Sequence, residues 1–342
     1  MSSDDIDWLI AAGKVQEWLP NQEVTQSSNF SNQVGLLLDG QFTIALPYQA
    51  KDSLKEFAQL SRDVWVGVVP SLEAFLSTAT LQAKTRCQWL AIDPIQLADK
   101  LAQDATFTAH FYQYQAVLIM QRLQALIMQF KLHPTVLYQT NIKEASSLFA
   151  ELQASDLDWL IAVGQRQQLP SASVLQTTDR PIEALQIVLE GALSLSVPSE
   201  PSNNLADVLF PVSTLQEPEE IARLARGDVF GEMQLIQPKF GMFNHRVQVQ
   251  TIRDTEILSI PRWRIVSKLL HDSEFATHFY QVLAVLLAGK YQTILSRLGF
   301  IVQAEESSSD RVLTKVARAE TNFEWMLQRI QTKVVTGRTI QW

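Results

Sequence analysis

The chain has 342 residues, of which 46% are hydrophobic and 19% charged, with a formal net charge of −8. This composition is typical of a folded globular protein and excludes intrinsic disorder and collagen-like structure. The acidic balance argues against general binding to nucleic acid phosphates. The single cysteine, Cys87, excludes an internal disulfide and a CxxC metal site. A reducing compartment is therefore favoured, and we expect a cytoplasmic protein.

The first residues, MSSDDIDWLIAAGK, carry acids where a signal peptide would carry bases, so they predict a helix start and no secretion signal. The most apolar stretch, residues 107–130, is interrupted by Gln113, Gln121 and Arg122. A membrane span needs roughly 20 largely apolar residues. We therefore expect no transmembrane helix.

An internal repeat organises the chain. The runs DWLIA, (L/I)-(L/V)-L-acid-Gly and HFYQ each occur twice, at residues 7–11 and 158–162, at 36–40 and 187–191, and at 110–113 and 278–281. Each copy predicts one short helix, several strands marked by alternating apolar residues, and one long helix. The Asp39-Gly40 and Glu190-Gly191 pairs are typical of hairpin turns and predict two β-hairpins.

The repeat predicts an α+β chain with two domains. We place the first domain at residues 1–133, a linker at 134–150, the second domain at 151–300, and a hinge with a C-terminal helical tail at 301–342. The first boundary follows from Pro134, because proline disfavours helix at the residue before it. The long helix of each copy has more apolar surface than one domain should cover. These helices are predicted to pack on each other or across a homo-oligomer.

The tail differs from the rest of the chain. Residues 310–342 carry six basic and three acidic side chains, which is a net charge of +3. Since the whole chain has a net charge of −8, the remainder has a net charge of −11. The pattern Thr321-x-x-Glu324 predicts a capping box at the start of an amphipathic helix. The apolar positions on one face of that helix form the candidate partner-binding surface: Phe323, Met326, Leu327, Ile330 and Val334.

The stretch GDVFGEMQLI at residues 227–236 resembles the phosphate-binding cassette of cyclic nucleotide-binding domains. The resemblance implies two tandem jelly-roll β-barrels with flanking helices. It also implies that the Gly231 amide faces a cyclic phosphate and that Glu232 binds the ribose hydroxyl. The candidate ligand-binding residues are Gly231, Glu232, Met233, His245 and Arg246.

The cassette departs from the family pattern at its arginine. That arginine usually follows the glutamate by about nine residues, where this chain has Gly241. Aligning the next strand places His245 at the arginine position, with Arg246 one step further on the opposite face of the strand. The first copy, residues 63–70, lacks the glutamate altogether. We therefore expect two degenerate domains and no resident cofactor, while cyclic nucleotide binding in the second domain stays open.

The domain order and the sequence motif HFYQxxAVL also resemble those of a cyanobacterial family of bacteriocin-type transport-associated proteins, which carry tandem cyclic nucleotide-binding domains. This resemblance implies a protein partner in a membrane transport or secretion complex. The amphipathic tail leaves peripheral membrane contact open as well.

Catalysis is not expected from these residues. Five isolated histidines provide no His-x-His metal cluster, and the sequence contains no Gly-x-Ser-x-Gly, Walker or Gly-x-Gly-x-x-Gly motif. One tail helix is too little for a helix-turn-helix, so no nucleic acid partner is expected. We predict a non-catalytic regulatory or adaptor protein without a metal site. The alternative is a sensor that binds cAMP or cGMP in the second domain.

Overall fold

The structure is a computed structural model that describes residues 1–24, 34–48, 51–62, 64–67, 79–132, 150–176, 183–197, 219–231, 235, 248–301 and 309–336. The chain divides into two compact units, each of mixed helix and sheet. Unit 1 combines Met1–Ala125 with Leu269–Ala317, and unit 2 combines Leu126–Lys268 with Arg318–Trp342. Neither unit is one continuous stretch of chain.

The strands of unit 1 are β1 (Lys14–Trp18), β2 (Val34–Asp39), β3 (Phe42–Tyr48), β4 (Lys51–Leu60), β5 (Val64–Gly67), β6 (Thr80–Ala83) and β7 (Cys87–Ile92). Those of unit 2 are β8 (Gln165–Leu169), β9 (Val174–Gln176), β10 (Ala184–Glu190), β11 (Ala192–Val197), β12 (Glu219–Ala225), β13 (Val229–Phe230), β14 (Gln248–Thr251) and β15 (Thr255–Pro261). The helices are α1 (Ser3–Ala12), α2 (Pro94–Gln103), α3 (Ala105–Gln129), α4 (Ala154–Val163), α5 (Arg262–His271), α6 (Ser273–Arg297) and α7 (Ser309–Thr336). Among the described residues, no helix has the length and apolar character needed to cross a membrane.

Unit 2 is built from two antiparallel sheets with strand orders β13-β10-β15-β8 and β12-β11-β14-β9. This is the strand order of a double-sheet jelly roll. Val188 of β10 and Leu195 of β11 belong to one buried cluster with Phe230 and Val249, so the two sheets share a core. No strand pair joins the two sheets in the described part of the chain. The predicted closed barrel is therefore corrected to a pair of packed open sheets.

Unit 1 repeats the same strand order. Its sheets run β1-β7-β2-β5 and β4-β3-β6, and an isolated bridge between Glu23 and Gln82 stands where β9 pairs with β14 in unit 2. The repeat seen in the sequence thus corresponds to a repeat in strand pairing.

The predicted hairpins at Asp39-Gly40 and Glu190-Gly191 are wrong. In each case the two strands flanking the glycine belong to different sheets. Gly191 has φ +101°, and a Cβ there would lie 2.6 Å from the Thr255 Cα, so a glycine is required at this crossing. The acidic-Gly pair correctly indicates a tight turn. It cannot indicate pairing, because both strands of a sandwich corner satisfy the same apolar alternation.

The tail helix also begins earlier than expected. Helix α7 starts at Ser309, so the predicted N-cap Thr321 lies inside it. Residues 309–320 contain no glycine or proline and several strong helix formers, which lets the helix extend upstream. The predicted hinge falls largely on residues 302–308, which lie outside the described residues.

The two long helices of the repeat meet within unit 1. Thr277 Oγ1 of α6 donates a hydrogen bond of 2.8 Å to the Ala105 carbonyl of α3, and Gln113 Nε2 donates to the Tyr280 hydroxyl at 3.1 Å. Helices α3 and α6 therefore pack on each other, which is one of the two arrangements that their apolar surface predicts. A homo-oligomer through these helices stays a prediction.

A polar cluster anchors α1 to α3. The Ser2 hydroxyl accepts from the Asp5 amide at 3.2 Å, and the Asp5 carboxylate accepts from the Ser2 amide, which completes a capping box. His110 Nδ1 lies 2.8 Å from Asp5 Oδ2. Burial alone would raise the pKa of Asp5, but the hydrogen bonds from Ser2 and His110 together lower it. His110 thus has a structural partner in Asp5.

We expect Asp5→Asn to destabilise unit 1 by about 1 kcal/mol at neutral pH, because it weakens a cap and removes a charge-assisted contact. The folded pKa of Asp5 is lowered, so its contribution is full above the pKa of the unfolded chain. It is lost as the pH falls through the folded pKa. Thermal unfolding of both proteins should show a difference at pH near 7 that shrinks as the pH falls below about 4. A difference that stayed constant across this range would contradict the assignment.

Candidate functional site

The cassette-like segment of unit 2 begins with a tight turn between β12 and β13. The Asp228 carboxylate accepts from the Ala225 amide at 2.7 Å, and the Gly227 amide donates to the Val188 carbonyl at 2.8 Å. Burial raises the pKa of Asp228, and the hydrogen bond from Ala225 acts in the opposite direction. The turn is therefore fixed both internally and to β10. Asp228 was not among the residues predicted from the sequence. The Gly-Asp pair before a short apolar strand could have indicated this turn.

Gly231 marks the point where the chain leaves β13. It has φ +91°, and a Cβ at this position would lie 2.3 Å from the Ala184 carbonyl oxygen. Only glycine accommodates both the left-handed backbone and this close approach. The position predicted to offer an amide to a phosphate is thus conformationally specialised, whatever binds there.

The remaining predicted ligand-binding residues, Glu232, Met233, His245 and Arg246, lie outside the described residues. Their role stays a prediction from the resemblance.

In unit 1, the strand that corresponds to β13 is β5, which pairs with β2 as β13 pairs with β10. Trp65 of β5 is buried, and its ring lies edge-on to Phe111 of α3 with a centroid distance of 5.3 Å. An indole therefore packs between β5 and α3 at the start of the altered cassette. The loss of nucleotide binding in this copy stays a prediction.

A second candidate surface lies on the tail helix, whose 318–336 segment belongs to unit 2. Phe323, Met326 and Ile330 are buried, and Leu327 is partly buried. Val334 lies within α7, but its side chain is outside the description. The face predicted to bind a partner is therefore already covered within the chain, so a partner that uses it must displace the helix.

Polar contacts clamp α7 at its rim. Arg226 pairs with Glu324, and its guanidinium lies 5.6 Å from the centre of the Phe323 ring. Further along the helix, Arg329 Nε lies 3.6 Å from Asp158 Oδ1 of α4. Arg226 directly precedes Gly227, so the Arg226–Glu324 pair connects α7 to the tight turn at the start of the cassette-like segment. Sequence reasoning missed Arg226, because its partner lies 98 positions away.

Helix α7 does not fill all the space against the sheet that contains β8, β10 and β15. A cavity of about 280 Å³ lies beneath the helix, lined by Arg166, Leu189, Glu190, Arg226, Glu256, Leu327, Ile330 and Gln331. Arg166 and Glu256 pair with each other across β8 and β15, which leaves the floor of this groove without an unpaired charge at that point.

Within the described residues, no three His, Cys, Asp or Glu side chains are grouped so that they could hold a metal ion. Cys87 is buried, and its thiol lies 3.3 Å from the Gln41 carbonyl oxygen, to which it can donate. This environment is typical of a free cysteine that packs as a small apolar side chain.

No family model and no curated protein matches this chain. Solved structures similar to it include cAMP-bound PfPKA-R, with 12% identity over 88% of this chain and 86% of that one, at a TM-score of 0.33. The regulatory subunit of a cAMP-independent protein kinase A from Trypanosoma brucei has 13% identity over 80% and 87%, at 0.28. A transcriptional regulator from Thermotoga maritima has 20% identity over 42% and 94%, at 0.31. These scores are too low to assign a fold, and the strand order carries that assignment instead.

Proposed function

We propose that the chain is a non-catalytic regulatory or adaptor protein, built on two degenerate cyclic nucleotide-binding-like domains, that docks a protein partner. The resemblance to transport-associated proteins suggests a transport or secretion complex as that partner. The observation that carries the proposal is the seating of α7. Its apolar face is buried while its polar clamp, Arg226 with Glu324, remains half exposed.

This arrangement favours replacement of α7 by a helix of another protein. Solvent-exposed ion pairs contribute only about 0 to 1 kcal/mol each, and the cavity under the helix reduces its packing energy. A helix held in this way can be replaced by another amphipathic helix that fills the groove better. The groove on unit 2 is then the docking surface, and α7 is its resident occupant.

The test uses the full chain with Met326→Asp, which removes α7 from the groove but leaves the groove intact. A fluorescently labelled peptide of residues 318–336 should bind this variant at least about tenfold more tightly than it binds the wild-type chain, where α7 competes. Adding Arg226→Glu to the variant should weaken binding by a few fold. A peptide carrying Glu324→Arg should restore it.

The outcome that overturns the proposal is peptide binding that is equally weak for the wild-type chain and the Met326→Asp chain. In that case α7 is a fixed part of unit 2 and the groove accepts no helix in trans.

A cyclic nucleotide sensor is the second candidate. It is favoured by the left-handed Gly231 at the cassette entry, because turns with a left-handed residue can direct successive backbone amides at an anion. Calorimetric titration with cAMP and cGMP tests it, with Glu232→Ala as the matched variant. Saturable heat that is lost in the variant would support the sensor. Absence of heat with both nucleotides would leave the adaptor role.

A further inference from the structure

Unit 1 contains a partly buried arginine, Arg122, without a counter-charge among the described residues. Arg122 lies on α3, and its Nη2 donates a hydrogen bond of 3.3 Å to the Trp65 carbonyl of β5. Its Nε is closed off from solvent and has no hydrogen-bond partner. No carboxylate forms an ion pair with it in the described part of the chain, and the ionisable groups that influence its pKa are Tyr291 and Tyr114.

An arrangement of this kind is costly. A guanidinium stays protonated in proteins, so it cannot escape burial by losing its proton. Removing an ion from water without a compensating charge is strongly unfavourable. Burial lowers the pKa of Arg122. Binding of an anion beside Arg122 would therefore stabilise the folded chain.

The ionisable groups near Arg122 do not supply a negative charge at neutral pH. Tyr291 of α6 is 4% exposed, and burial raises its pKa to about 12, against the opposing effect of Arg122. Its hydroxyl therefore keeps its proton at neutral pH. Arg122 as a whole is only partly buried, so part of the residue is accessible to solvent. A cationic fork beside a neutral phenol suits an oxygen-bearing anion.

We propose that Arg122 anchors an oxyanion-binding site in unit 1, between α3, α6 and β5, that takes the phosphate or carboxylate group of a small ligand. The Nε and one Nη of the guanidinium present the parallel donors that such a group accepts. The site is separate from the groove under α7 and from Gly231, which both belong to unit 2.

The test is thermal unfolding of the full chain, first in a buffer free of oxyanions and then with increasing inorganic phosphate at matched ionic strength. Wild-type protein should gain a rise in Tm that grows with the logarithm of the phosphate concentration once the site is occupied. Arg122→Met should show no such rise, and without phosphate it should be at least as stable as wild type, because it removes a buried unpaired charge. Phosphate should therefore reverse the order of the two proteins.

Arg86→Met is the matched control, since Arg86 of unit 1 is an exposed arginine paired with Glu17. It should respond to phosphate as the wild type does. As a second readout, the Nε–H resonance of Arg122, assigned by its loss in Arg122→Lys, should shift saturably with phosphate. Repeating the titration with acetate distinguishes a carboxylate site from a phosphate site. Equal phosphate responses in wild type and Arg122→Met, or no response to either anion, would overturn the proposal.

Discussion

Gly231→Ala should destabilise unit 2 by about 3 kcal/mol, through about 1 kcal/mol of left-handed strain and the remainder from a steric collision. The collision arises because the new Cβ would lie 2.3 Å from the Ala184 carbonyl oxygen, which is backbone and cannot move aside cheaply. Denaturant unfolding followed by circular dichroism measures the loss.

Gly231→Asn separates the two causes. Asparagine tolerates a positive φ better than alanine, but it carries the same Cβ. If the collision dominates, the two variants should lose similar stability. Near-wild-type stability in Gly231→Asn would show that the close approach to Ala184 is not the constraint.

Met326→Asp should detach α7 from unit 2. Met326 is fully buried, and a carboxylate at this position would lose its hydration without a paired cation, at a cost of several kcal/mol. Undocking the helix is less costly than burying the charge. We therefore expect rapid proteolytic cleavage within residues 309–336, while the sheets of unit 2 stay protected.

Arg318→Asp provides the control for charge and helix propensity. Arg318 lies on the same helix but is exposed, so an aspartate there keeps its hydration. Its cleavage pattern should match that of the wild type. Equal protection of α7 in Met326→Asp and wild type would mean that the burial of Met326 does not hold the helix.

Much of the fold was predictable because the repeat is local and periodic. The alternation of apolar residues in β10 and β11, and the recurrence of DWLIA, predict where strands and helices lie. Which strands pair was not predictable from the same pattern. A strand that faces one shared core has the same alternation in a hairpin and in a sandwich corner, so the turns at Gly40 and Gly191 were misassigned.

The functional contacts were less accessible to sequence reasoning. The Arg226–Glu324 clamp and the hydrogen bond from Arg122 to Trp65 join residues 98 and 57 positions apart. No spacing rule relates such residues, since only the fold brings them together. By contrast, the specialised backbone at Gly231 could be anticipated, because a phosphate-facing turn and a left-handed glycine occur in one short motif.

The interleaving of the two units has a practical consequence for dissecting the protein. The chain leaves unit 1 within α3, returns to it near Leu269, and ends in unit 2 after a last crossing within α7. A fragment cut at the repeat boundary, such as residues 1–133, would lack α6 and would expose the face of α3 that meets it. Autonomous expression of either half should therefore give aggregation-prone material, whereas co-expressed halves could reassemble by complementation.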